Sequence, residues 1–179
     1  MTHNPWKTLG TKIVYKNPWI SVREDSVICP DGSEGIYGVV DPKIATGVVA
    51  LTPNREVYLV GQFRYPLQSY SWEIIEGGAD GNESPLAAAQ RELAEEAGLV
   101  ASEWSPIGGE MHLSNCFTSE RAFAFLAQNL SETKRSPDAT EVLTVKCVPF
   151  AETLAMIDRG EITDALSIIA LLQVARSLA

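Results

Sequence analysis

The stretch from Ser84 to Gly98 most limits what this chain can fold into, because it carries the signals for both ends of a helix. Ser84 supplies an N-cap hydroxyl, Pro85 suits the first helical position, and Gly98 suits a left-handed stop. At 100° per residue, Leu86, Ala89, Leu93 and Ala97 fall within about 80° of one another. The helix predicted over Pro85–Ala97 therefore has an apolar stripe to bury. Beside that stripe Glu92, Glu95 and Glu96 sit at i, i+3 and i+4 and share one flank. Like charges at i, i+4 cost a helix about 0.2–0.5 kcal/mol per pair. Arg91, four residues before Glu95, offsets part of this repulsion. Glu92 and Glu96, about 40° apart on the wheel, have no basic neighbour on their own face. Two readings stay open on the helix alone. It is a solvated acidic face, or it holds a hard divalent cation, which takes oxygen ligands and keeps positions for water and substrate phosphates.

The remaining pattern places this helix in a mixed fold. Short β-branched runs at Ile13–Tyr15 and Ile20–Ile28, with turns at Asn17-Pro18 and Pro30-Asp31-Gly32, predict a β-rich opening that continues through Gly35–Val40. Asp41-Pro42 breaks it. Further strands are predicted at Gly47–Thr52, Glu56–Phe63, Trp72–Ile75, Arg121–Ala127 and Val142–Phe150. Helices are predicted at Ala151–Asp158 and Thr163–Leu178, the second capped by Thr163 or Asp164. Strands and helices do not alternate as in a parallel βαβ fold, so the expected architecture is α+β, a mixed sheet between helices. The 179 residues suffice for a real core. No run of 18 apolar residues predicts a membrane span, and the opening MTHNPWKTLG lacks the apolar stretch of a signal peptide. Three cysteines without metal-type spacing suit a reduced, cytoplasmic setting. With 14 basic and 23 acidic residues the formal charge is −9. That argues against a nucleic-acid partner bound through a basic surface. It permits a small phosphate compound if a cation screens the carboxylates from it.

Read from Gly77, the chain runs GGADGNESPLAAAQRELAEEAGL: a glycine, Glu83, then Arg91-Glu92-Leu93, Glu95-Glu96 and Gly98-Leu99 at fixed intervals. This resembles the Nudix box at every defining position. The resemblance implies an α/β/α sandwich with a mixed sheet, in which a loop–helix–loop presents carboxylates to magnesium, or to manganese in its place. It also implies hydrolysis of a nucleoside diphosphate linked to another group. On this resemblance Glu92 and Glu96 are the main metal ligands, with Glu95 assisting as ligand and in catalysis. Arg91 orients the carboxylates, Glu83 braces the loop or reaches a metal through water, and a main-chain carbonyl at Glu76 or Gly77 is a further ligand.

The flanks GQFRYP at 61–66, SWEIIEGG at 71–78 and GEITDA at 160–165 are similar to those of ADP-ribose pyrophosphatases and other nucleotide-sugar hydrolases. This implies substrate contacts from Arg64 and Glu73. Arginine suits that task, since its planar fork binds diphosphate oxygens bidentately. It also implies an N-terminal β subdomain over residues 1–43 ahead of a Nudix domain over 44–179, and a homodimer in which Trp19 and Tyr37 stack on a base or pack the interface. Two positions depart from the group. Ile75-Glu76 stands where Pro-Ala is usual, and Asn115 stands where a proline is usual, which points to a range of nucleotide sugars wider than ADP-ribose. The water-activating base in this group comes from the loop before the last long strand, which names Glu141, with Glu120 as its competitor. His112 is read as structural. Two other functions are weighed against this one. The first is pyrophosphohydrolysis of nucleoside polyphosphates or RNA 5′ ends, which the charge disfavours. The second is a non-catalytic nucleotide-sugar sensor, which has no need of ligands at 92, 95 and 96.

Overall fold

The computed structural model describes residues 3–138 and 142–178. The chain forms two compact units, Met1–Lys43 with His112–Arg121, and Ile44–Met111 with Ala122–Ala179.

The first unit is an antiparallel sheet in the order β1-β2-β3, with β1 at Lys7–Lys16, β2 at Ile20–Ile28 and β3 at Glu34–Pro42. Its turns are set by side chains that mimic backbone. The Asn17 carbonyl oxygen accepts the Trp19 and Ile20 N–H groups, both at 2.8 Å, and Asp31 accepts the Ser33 N–H at 2.9 Å. Gly32 takes the φ of +88° that the second turn demands. Inside the sheet Asp25 is buried but paired, accepting from Thr11 Oγ1 at 2.7 Å and Arg23 Nη1 at 2.9 Å. Residues 112–121 add to the free edge of β3. The Val40 N–H bonds the Phe117 carbonyl at 2.9 Å, and the Ser119 N–H bonds the Val40 carbonyl at 3.0 Å.

Among the described residues the second unit holds a seven-stranded sheet. Its path is β10 (Thr144–Pro149), β5 (Glu56–Arg64), β4 (Ala45–Leu51), β9 (Ala122–Glu132) and β8 (Leu99–Met111); β6 (Ser69–Glu73) pairs β5, and β7 (Ile75–Gly78) pairs β4. β4 and β9 run parallel, while β5, β7 and β8 run antiparallel to their neighbours, so the sheet is mixed as expected. Alternation along β4 divides the core. Val48 and Ala50 join Val60, Ile75 and Ala127 under Ala89 and Leu93 of α1 (Pro85–Glu92) and its continuation. Gly47, on the other face, lies so close to Ile74 and Leu166 that a Cβ would stand 2.9 and 3.2 Å from their methyl carbons. Leu166 belongs to α3 (Ala165–Leu178), so α1 and α3 cover opposite faces, and α2 (Phe150–Asp158) packs beside β10 and α3. This is the α/β/α layering anticipated from sequence.

The differences from expectation are local. The strand expected over Trp72–Ile75 is two strands, broken at Ile74, whose N–H is taken by Ser167 Oγ at 3.0 Å instead of by a neighbouring strand. The helix expected over Pro85–Ala97 is α-helical to Glu92 and then widens into a π turn, Leu93–Ala97. Strand β8 was not expected at all. No described helix is long and apolar enough to cross a membrane.

Candidate active site

The loop ahead of α1 is tied to the helix by one guanidinium. Ser84 Oγ accepts the Ala87 N–H at 3.2 Å, so the helix starts where its cap predicts. Arg91 then donates to Glu83 Oε1 at 3.2 Å and Oε2 at 3.0 Å, to the Gly78 carbonyl at 2.9 Å, to Glu92 Oε1 at 2.7 Å and to Glu95 Oε2 at 3.0 Å. Three carboxylates share it. The hydrogen bonds that Arg91 donates to Glu83, then those it donates to Glu92 and Glu95, raise its pKa against the opposing effect of burial, and Glu83 is correspondingly lowered by Arg91 and by the Asp80 N–H. The bracing role expected of Glu83 and the orienting role expected of Arg91 are both compatible with this network.

Glu92 lies against Gly77 of β7 so closely that a Cβ at 77 would overlap its carboxylate. The glycine is therefore required for space, since its φ is not in the left-handed range. The Gly77 carbonyl accepts Thr46 Oγ1 at 3.3 Å. Glu95 is half-buried, while Glu96 is 3% exposed and its Oε2 receives no hydrogen bond. Among the described residues no three His, Cys, Asp or Glu side chains converge on a common point, and Arg91 pairs with both Glu92 and Glu95. The donors are hard oxygens throughout, and Gly77 keeps the space beside Glu92 clear of side chain. Both properties fit a divalent cation.

On the other flank of β7, Glu76 faces α3. Its Oε1 accepts Ser167 Oγ at 2.7 Å, and burial, followed by the neighbouring Asp164 carboxylate, holds its pKa well above the usual range. Asp164 in turn caps α3 by accepting the Ser167 N–H at 2.7 Å, as one of the two expected caps. The Glu76 side chain is thus engaged away from Glu92, leaving its main chain as the part that lies beside Gly77.

Arg64 of β5 and Glu73 of β6 form a bidentate pair, although the strand register sets Arg64 opposite Ser69 and Glu73 opposite Val60. Arg64 Nε stands 2.9 and 3.1 Å from the two Glu73 oxygens, and Nη2 also bonds Oε2. Burial opposes the Arg64 charge, but Glu73 outweighs it and the guanidinium's pKa is raised. Both residues line a cavity of about 300 Å³ with Pro66, Ser71, Thr163 and Asp164.

In the first unit, Trp19 is 68% exposed at the turn into β2. Tyr37 donates to the Cys116 carbonyl at 2.7 Å and meets Trp6 edge-on, ring centres 5.4 Å apart. Trp6 and Tyr37 line a cleft of about 250 Å³ with Thr8, Asp25 and Val27. Trp6 was missed from sequence because it stands before the first recognisable strand pattern. Glu120 and His112 belong to the segment docked on β3, and Glu141 lies outside the described residues.

The chain is similar to known proteins in both sequence and structure. Residues 6–40 match the family described as nucleoside diphosphate sugar hydrolase N-terminal domain, and residues 41–167 match the NUDIX domain. The chain is 30% identical over 178 residues to an ADP-ribose pyrophosphatase of Mycobacterium tuberculosis, covering 97% of this chain and 85% of the relative. It is 31% identical over 161 residues to an ADP-ribose pyrophosphatase of Bacillus subtilis, covering 89% and 86%. In structure it matches a crystallised ADP compounds hydrolase with a TM-score of 0.85 at 21% identity, over 99% of this chain and 96% of the other.

Proposed function

The chain belongs to the Nudix hydrolase family, and from that membership we propose that it hydrolyses the diphosphate bridge of nucleoside diphosphate sugars, ADP-ribose and GDP-mannose among them, to a nucleoside monophosphate and a sugar phosphate. The carrying observation is the set of oxygen donors on and beside α1, held by Arg91 around the cleared space at Gly77. In this reading Glu92 and Glu96, aided by Glu95 and a main-chain carbonyl at Glu76 or Gly77, hold magnesium, or manganese in its place. A bound divalent cation neutralises diphosphate charge and makes water a better nucleophile. Arg64 and Glu73 orient the substrate, Glu141 accepts the proton of the attacking water, and Trp19 and Tyr37 stack on a base or pack the dimer interface. A net charge of −9 disfavours RNA ends as substrate. Incubation with ADP-ribose, GDP-mannose, ATP and capped RNA, read by mass spectrometry, tests the assignment. ADP-ribose should yield AMP and ribose 5-phosphate, with ATP slow; faster turnover of ATP or capped RNA than of any nucleotide sugar would overturn it.

We read the assembly as a homodimer in the cytoplasm. The three cysteines, all unbridged, support the compartment. The outer strand β1 supports the dimer, because it is exposed along its whole length yet carries Leu9, Ile13 and Tyr15, at 53%, 58% and 55%. An exposed apolar edge strand is a hazard that a second copy removes. Light scattering should give twice the chain mass for the protein and one chain mass for the double variant Leu9→Asp, Ile13→Asp. A monomeric parent at micromolar concentration refutes the dimer.

A further inference from the structure

The last carbonyls of a helix have no N–H ahead of them in the helix and need partners from elsewhere. After Glu92 the helix widens into the π turn Leu93–Ala97, which carries two of the three carboxylates, and π turns recur at functional sites. Gly98 closes it in the left-handed region at φ +68°, its N–H bonding back to the Ala94 and Leu93 carbonyls. The carbonyls of Glu95, Glu96 and Gly98 are met by residues that follow β9. The Ser136 N–H bonds Glu95 O at 3.1 Å, Arg135 Nε bonds Glu96 O, and the Thr133 N–H bonds Gly98 O at 2.8 Å. The approach is close. A Cβ at 98 would stand 3.2 Å from both Arg135 Cβ and Thr133 O. Arg135 also reaches across the β9–β10 connection, Nη2 donating to the Leu143 carbonyl at 3.2 Å. A positive charge at a helix C-terminus is favourable, and the guanidinium's flat fork serves two carbonyls at once, which a lysine ammonium on its single point does not reproduce.

We propose that Arg135 is a positioning residue for the carboxylates of the active-site helix: by holding the Glu96 carbonyl it fixes the widened turn, and with it the directions in which the Glu95 and Glu96 side chains leave the helix. The inference rests on the reading that Glu92 and Glu96 hold the divalent cation. It assigns Arg135 no contact with substrate or metal. Its effect runs through the backbone of a ligand, so a disturbance should show first in metal affinity. Groups that orient metal ligands typically contribute about 10- to 100-fold in affinity or activity.

The test is Mn²⁺ binding to the full chain without substrate, by electron paramagnetic resonance of the free ion. Near-ultraviolet circular dichroism should confirm that each variant is folded. Arg135→Ala should weaken Mn²⁺ by about tenfold or more and lower kcat, with KM for ADP-ribose within about twofold. Arg135→Lys should recover only part of the affinity. Wild-type Mn²⁺ affinity in Arg135→Ala overturns the proposal whatever its melting temperature. If that variant does not fold, Arg135→Lys decides, and wild-type affinity there overturns it equally. Glu92→Gln separates the premise from the inference: if it too binds Mn²⁺ as wild type, the metal site is misassigned, whereas a loss there with Arg135 variants unaffected removes Arg135 alone.

Discussion

Glu92→Gln and Glu96→Gln should each lower ADP-ribose turnover by about three orders of magnitude while the protein stays folded. The size follows from what a divalent cation contributes to attack on phosphorus, several kcal/mol, with about 1.4 kcal/mol for each factor of ten. Folding should survive for a different reason in each case. Arg91 faces a neutral amide oxygen in place of a carboxylate in Glu92→Gln but keeps Glu83, Glu95 and the Gly78 carbonyl. At 96 the glutamine keeps the volume of a side chain that is 3% exposed and removes a buried charge, a change that cores tolerate better than a cavity. Steady-state rates and thermal melts of the same samples separate the two effects. Undiminished turnover in either variant, or full wild-type activity in excess chelator, would defeat the metal reading.

Glu141→Gln should slow turnover by about 10² to 10⁴ while binding metal and substrate nearly as well as wild type. That range is typical of removing a general base. The attacking water needs an acceptor within hydrogen-bond reach, and Glu92, Glu95 and Glu96 are assigned as ligands, so the acceptor should come from outside α1 and its π turn. The polar sequence between β9 and β10 includes Glu141, the base that the family resemblance implies. The pH dependence of kcat should show an acid limb in the parent protein and none in the variant. If Glu120→Gln shows this slow-but-binding behaviour and Glu141→Gln turns over normally, the base is Glu120.

What sequence discloses here is what local rules control. The Ser84 cap, the Gly98 stop and the strand Ile20–Ile28 lie where their residues say, because capping, left-handed φ and β-branching act within a few positions. Strand β8 escaped notice because it contains Ser105-Pro106 and Gly108-Gly109, which read as a turn. At the edge of a sheet proline forfeits no ladder bond, and Gly108, at φ +66°, accompanies a register shift between Ile107 and Met111. The carboxylate helix was legible, yet its widening after Glu92 was not, since the groups that meet its carbonyls belong to residues 133–136. Glu76 was readable as an unusual residue before the box. Its engagement with Ser167 is invisible to any pattern because the two are 91 positions apart.

The parallel pairing of β4 with β9 bears on how the chain is made. Ala45 faces Ala122, so one edge of β4 waits, during synthesis, for a neighbour that follows β5 through β8 and α1. Until then that edge offers unsatisfied N–H and C=O groups beside Val48 and Val49, the kind of surface to which nascent chains adhere. Contacts of long sequence separation are slow to form because loop closure precedes any gain. The strand that sits innermost in the finished sheet is therefore among the last to be enclosed, and how long its edge stays open during synthesis is set by the distance along the message between two alanines.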